Sequence, residues 1–292
     1  MKLHKFIQRI CAATVASALT LSLCTPVRAE GIAALPAPTS GTSQPDETGD
    51  VPIDPAHFPD ENFRKYLGQK AIDDDKTGIL SQTEREKVTA IVLHSAGNIS
   101  DLTGIKYFPN LKELYCNGGD LANLDVSQNT KLTNLYCYNN QLTSLDGVSG
   151  LQMLTRLSVN HNTLTDVSPL AVCTTLTELD ISNNTLTDIS ALSTLVNLER
   201  FVFSSNQVTA LPEWPEGCKL QVIDGAYNAV TSLDNLSKMG SLTYIYMDYN
   251  QISNIDSLAD CYCLVQVNVF GNPVSDVAAL REHDIIVNYD PT

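Results

Sequence analysis

The stretch LTELDISNNTLTDISAL, Leu176 to Leu192, changes its hydrophobic period part-way along. Leu179 and Ile181 alternate with Glu178, Asp180 and Ser182, the period of two that marks a short strand with one buried face. Asn184 then falls at a tight turn. A side-chain amide buried there can satisfy backbone groups of its own coil and the next, which no aliphatic residue could do. Leu186, Ile189 and Leu192 complete the unit.

The same pattern recurs on either side. Its leading position is filled by Val88, Leu111, Leu132, Leu154, Leu176, Leu198, Leu220, Leu242 and Leu264, in steps of 23, 21 and then 22 six times, so nine units follow without a break. The turn asparagine recurs as Asn140, Asn162, Asn184, Asn206, Asn228, Asn250 and Asn272, a ladder that starts late because Ala96 and Gly119 hold its place in the first two units. The unit from Leu198 is irregular, with LPEWPEGCK bringing in Trp214, which is expected to fill core. Each unit buries its apolar face only against its neighbours, so both ends need caps.

LTNLYCYNNQLTSLD, LTELDISNNTLTDISAL and LTYIYMDYNQISNIDSL resemble the 22-residue repeats of internalin-type leucine-rich-repeat proteins of Gram-positive bacteria, over residues 88–284. The resemblance implies an α/β leucine-rich-repeat solenoid, right-handed, with a concave parallel β-sheet and short 3-10 or extended convex segments. It also implies a small helical, EF-hand-like N-terminal cap.

Outside the repeats, residues 1–29 read as a signal peptide: Lys2, Lys5 and Arg9, an apolar stretch from Ile10 to Leu23, and a small-residue exit ending at Ala29. Residues 30–56, rich in Pro, Gly, Ser and Thr, read as a flexible spacer. A helical cap is expected over 57–87 and a closing strand over 285–292, with no wall-sorting motif after it. The whole chain carries 18 Lys and Arg against 33 Asp and Glu; four of the basic and none of the acidic residues lie in 1–29, leaving a net charge of −19 after processing. Such a surface repels nucleic acid and anionic membranes and favours cations and basic partners.

Within the cap, Asp73-x-Asp75-x-Thr77-Gly78-Ile79-Leu80-Ser81-x-x-Glu84 has the spacing of a twelve-residue EF-hand loop. Calcium takes six to eight oxygens. Asp73, Asp75, Thr77, the Ile79 carbonyl, Ser81 and Glu84 supply them, Gly78 permits the bend and Leu80 points to the core. Thr77 stands where Asp or Asn is commoner, which removes a charge but not an oxygen. One calcium ion is therefore expected, stabilising the cap, although internalin-type caps resemble degenerate EF-hands that need not hold metal.

Because side chains alternate across a strand, the inward leucines determine an outward set. Tyr115, Tyr136 and Tyr138 are expected to form one aromatic cluster and Tyr244, Tyr246 and Phe270 another. Between them lies a charged middle of Arg156, Asp180, Arg200 and Asp224, with Asp248 beyond. Aromatics beside charges are what binding hot spots use. A secreted or surface-associated protein that recognises a protein partner on its concave face is the expected function. A glycan ligand, or a self-associating envelope component, is the alternative.

No zinc spacing joins Cys116, Cys137, Cys173, Cys218, Cys261 and Cys263, which are expected to be buried thiols. Inward side chains on parallel strands should aim Cys116 and Cys137 poorly for a disulfide. No nucleophile or metal motif surrounds His57, His94, His161 or His283, so no enzyme is expected.

Overall fold

The computed structural model describes residues 49–93 and 97–290. The expected signal peptide, most of the spacer, His94 and Ala96 lie outside them. A two-stranded antiparallel ribbon joins β1 (Val51–Pro52) to β2 (Ile79–Leu80), and ten parallel strands form the main sheet. These are β3 (Ala90–Val92), β4 (Glu113–Tyr115), β5 (Asn134–Tyr136), β6 (Arg156–Ser158), β7 (Glu178–Asp180), β8 (Arg200–Val202), β9 (Val222–Asp224), β10 (Tyr244–Tyr246), β11 (Gln266–Asn268) and β12 (Ile286–Asn288). They pair strictly in chain order, each residue beside the same position of the next unit, as in Leu157 beside Leu179 beside Phe201.

Opposite the sheet the chain returns through 3-10 turns at Ile105–Tyr107, Asp146–Val148, Ser168–Val172, Ser190–Thr194, Asp234–Leu236 and Asp256–Asp260. The units from Leu111 and Leu198 have none; in the latter, Pro215 stands where Ser149 and Ser237 donate their N–H to close the turn in the units from Leu132 and Leu220. Trp214 fills the space instead: it is buried edge-on to Phe201, and its Nε1–H donates to the Leu192 carbonyl at 3.0 Å.

Asparagines clamp successive units. Asn184 Nδ2 donates to the carbonyls of Ile181 in its own unit (3.0 Å) and Val159 in the one before (3.2 Å), while its Oδ1 accepts from the Leu164 N–H (3.0 Å). The same three-way bond recurs from Asn140 to Asn272. A buried donor or acceptor left without such a partner costs ~1–3 kcal/mol, so the ladder ties each turn to its neighbour.

Immediately before each ladder asparagine, and before Gly119 in its place, the chain takes a left-handed residue. Gly118, Asn139, His161, Asn183, Ser205, Tyr227, Tyr249 and Gly271 all have φ between 51° and 76°.

At the N-terminal end, α1 (Glu61–Leu67) is capped by Asp60 and buries Phe63 and Leu67 with Phe58 and Phe108 over the first repeat. Gly104 closes this packing: its φ is 97°, and a Cβ there would sit 2.4 Å from the His57 carbonyl and the Phe58 ring. The spacer expected to run to residue 56 ends earlier. Val51 is buried on the β1 strand opposite Leu80 of β2, so apolar burial takes hold before the proline-rich composition ends.

At the far end α3 (Ala278–Glu282), counting α2 (Gln82–Lys87) in the cap, precedes β12. Cys116, Cys137, Cys173, Cys218 and Cys261 are buried free thiols.

Candidate functional site: the outward face of the sheet

On the outward face, Tyr115 and Tyr136 stand side by side on β4 and β5, rings stacked 4.8 Å apart at 9°. In-register pairing of adjacent strands produces this, since it puts like positions one strand spacing apart. Tyr244 and Tyr246, two residues apart on β10, hold their rings 6.5 Å apart at 11°. Tyr138 and Phe270 join neither pair: Phe270 is 40% exposed, and its N–H donates to Asp248 at 2.8 Å. The two expected clusters are thus two pairs, because the outermost position leaves the strand before the turn.

Between the pairs runs the charged strip. Arg156 Nε meets Glu178 at 3.0 Å in an exposed ion pair, of the sort worth little in stability. Asp180 is held internally, accepting from Ser182 N–H and Oγ (3.0 and 2.7 Å) and from Asn160 Nδ2 (2.6 Å). Burial pushes the Asp224 carboxyl up, with Asp180 and Asp248 adding to the rise and Arg200 opposing it. Burial also raises Asp248, helped by Asp290. The acids of this face repel one another, and a cationic group from outside would relieve them.

Sequence reasoning missed two exposed residues of the same edge. Tyr227 and Tyr249, 57% and 52% exposed, stack 4.6 Å apart at 14° from left-handed backbone. The Tyr249 ring lies over Gly271, where a Cβ would come within 2.5 Å of it. The signal was the column just before the ladder asparagine, which strand alternation does not reach.

In the cap, single ligand atoms of Asp73, Asp75 and Glu84 lie within 4.8 Å of one another. Ser81 caps α2 in a reciprocal capping box that aims Glu84: its Oε2 accepts from Ser81 N–H and Oγ, and its Oε1 from the Asp74 N–H. Thr77 Oγ1 donates to the Ile79 carbonyl at 3.2 Å, so these two oxygens are adjacent. Asp73 is buried, which pushes its carboxyl up, and Asp75 and Glu84 add to the rise. Two of the three carboxylates, Asp73 and Glu84, are buried and Asp75 is exposed, and this all-oxygen donor set fits a hard divalent cation.

Comparison with known proteins agrees with the architecture. The family described as Leucine Rich repeats (2 copies) matches residues 130–172 and 174–216. Internalin J of Listeria monocytogenes serotype 4b (strain F2365) is 33% identical over 73 residues, a match spanning 25% of this chain but 8% of that relative. Internalin C2 of L. monocytogenes 4b F2365 superposes with a TM-score of 0.63 at 24% identity, over 85% of this chain and 100% of that one. The functional domain of InlJ from L. monocytogenes, described as including a cysteine ladder, superposes with a TM-score of 0.58 at 23% identity, over 85% of this chain and 63% of that one. The chain is therefore a leucine-rich-repeat protein. Its repeats resemble those of the internalins. Among the described residues no helix is long and apolar enough to cross a membrane.

Proposed function

We propose that this chain is an exported, non-enzymatic binding protein that holds a protein partner across the outward face of its sheet. Repeat arrays of this kind serve binding in general, since stacking exposes one extended surface. The observation that carries the proposal is the pairing of Tyr115 with Tyr136 and of Tyr244 with Tyr246 at the two ends of a charged strip. Tyrosines present large contact area at low entropy cost, and the strip between them supplies register. Tyr138, Arg156, Asp180, Arg200, Asp224, Asp248 and Phe270 complete the proposed contact surface.

The cap loop supports the scaffold rather than the contact. We propose that Asp73, Asp75, Thr77, the Ile79 carbonyl, Ser81 and Glu84 hold one calcium ion. Export is supported by the basic-then-apolar start of the sequence.

Capture from host-surface and bacterial-envelope extracts, with wild type beside Tyr136→Ala/Tyr246→Ala, tests the binding proposal. A protein held by wild type and lost from an equally well-folded double variant is the expected result. Equal retention by both would remove the sheet face from the interface.

A further inference from the structure

Cys116 and Cys137 follow directly on the paired residues Tyr115 and Tyr136, on the inward side of adjacent strands. Corresponding positions in later units are filled by Val159, Ile181, Phe203, Met247 and Val269, with Gly225 under the Phe203 ring, so this is a column of core. The two sulfurs lie 2.8 Å apart. That is far inside the ~3.5–4.0 Å at which even smaller carbon atoms prefer to meet. The sequence reading expected the pair to aim poorly; instead both side chains point along the sheet toward each other.

Other buried thiols in the same core behave differently. Cys261 Sγ donates to the Leu236 carbonyl at 3.2 Å, and Cys173 Sγ approaches the Val148 carbonyl at 3.6 Å. Cys116 and Cys137 have each other. Adjacent strands run ~4.8 Å apart, within the ~4.4–6.8 Å Cα separation that a disulfide spans.

We infer that Cys116 and Cys137 form a disulfide, rung to rung inside the sheet, when the chain folds in the presence of a low-molecular-weight disulfide. One cysteine thiolate attacks a sulfur of the small disulfide, forming a mixed disulfide and releasing one small thiolate. The second cysteine thiolate attacks the protein-side sulfur of that mixed disulfide and releases the other. Two protein thiols are oxidised, one small disulfide is reduced to two thiols, and the protons lost by the cysteines go to the released thiolates.

The bond has to form before the core closes. Cys137 is fully buried, and its thiol is held well above the ordinary thiol range by that burial and by Cys116. In the folded chain both sulfurs are buried, out of reach of the oxidant. Once made, the bond closes a loop between residues 21 positions apart, early in the repeat array, and is shielded from reductant.

The test is to refold the chain from denaturant with oxidised and reduced glutathione, denature again without reductant, alkylate, digest and weigh the peptides. The Cys116 and Cys137 peptides are expected as one linked species, unalkylated and lighter by two hydrogens than the sum of the two. Cys173, Cys218 and Cys261 are expected to be alkylated. Alkyl groups on both Cys116 and Cys137 would overturn the inference. A Cys116→Val chain, which keeps the rung apolar like Val159, gives a second reading. It is expected to melt below the oxidised wild type and level with the reduced one, and a midpoint equal to that of the oxidised wild type would count against the bond.

Discussion

Tyr227 and Tyr249 stack 4.6 Å apart from backbone positions where φ is 58° and 56°. Left-handed backbone costs a residue with a Cβ roughly 1–2 kcal/mol, least for asparagine, and asparagine is what Asn139 and Asn183 supply in the same column. Two bulky rings kept at strained, exposed positions point to contact with something outside the chain.

Replacing both with asparagine separates strain from stacking. Relief of the backbone offsets the ~0.5–1.5 kcal/mol an aromatic pair contributes, so the melting midpoint of Tyr227→Asn/Tyr249→Asn should stay within a few degrees of wild type. Capture of the partner should weaken if this edge extends the interface. Undiminished capture would restrict the interface to the sheet itself.

The ladder makes a sharper stability prediction. Asn184→Leu leaves the Ile181 and Val159 carbonyls and the Leu164 N–H without their amide partner. At the cost of unmet buried groups, the loss should be about 3 kcal/mol or more in denaturant unfolding. A loss under 1 kcal/mol would mean that water replaces the amide, and that the ladder is not what ties the units together.

The acidic strip predicts a pH effect. Burial and neighbouring carboxylates raise the Asp224 pKa above its ordinary 3.8. The folded state therefore binds that proton more tightly than the unfolded chain does. The group weighs against the fold at neutral pH, and this penalty is lifted as pH falls through the raised value, with no further gain below 3.8. Asp224→Asn should melt higher than wild type at neutral pH, with the gap closing on acidification. A gap that widened would reverse the sign of the argument.

Calcium should raise the melting midpoint, at concentrations in the weak extracellular range of about 10⁻⁴–10⁻³ M. Asp75→Asn changes an exposed side chain, so it should leave the midpoint in EDTA near that of wild type while abolishing the response. Identical wild-type midpoints with calcium and with EDTA would exclude the site.

Much of this was legible in the sequence, for a physical reason: a repeat array repeats its environments. Leu179 and Ile181 identified one inward pair, and the 22-residue step carried that assignment to every strand. Tyr115 and Tyr136 stack because in-register pairing brings like positions together, which spacing alone revealed. Alternation, however, describes only the strand. Tyr227 and Tyr249 lie past its end, where left-handed backbone directs side chains by another rule. Phe270 leaves its expected cluster at the same boundary. Val51 was lost in a proline-rich stretch because its pairing with Leu80 is non-local, and the approach of Cys116 to Cys137 depends on side-chain rotamers that no pattern of residue types encodes.

The most direct test of the central claim is hydroxyl-radical footprinting of the chain with its captured partner. Tyr262 is an internal control, 54% exposed just after the 3-10 turn Asp256–Asp260 on the side away from the sheet. Binding across the sheet predicts that Tyr115, Tyr136, Tyr244 and Tyr246 lose reactivity in the complex while Tyr262 keeps it. Protection of Tyr262, with the four sheet tyrosines as reactive as in the free chain, would contradict it.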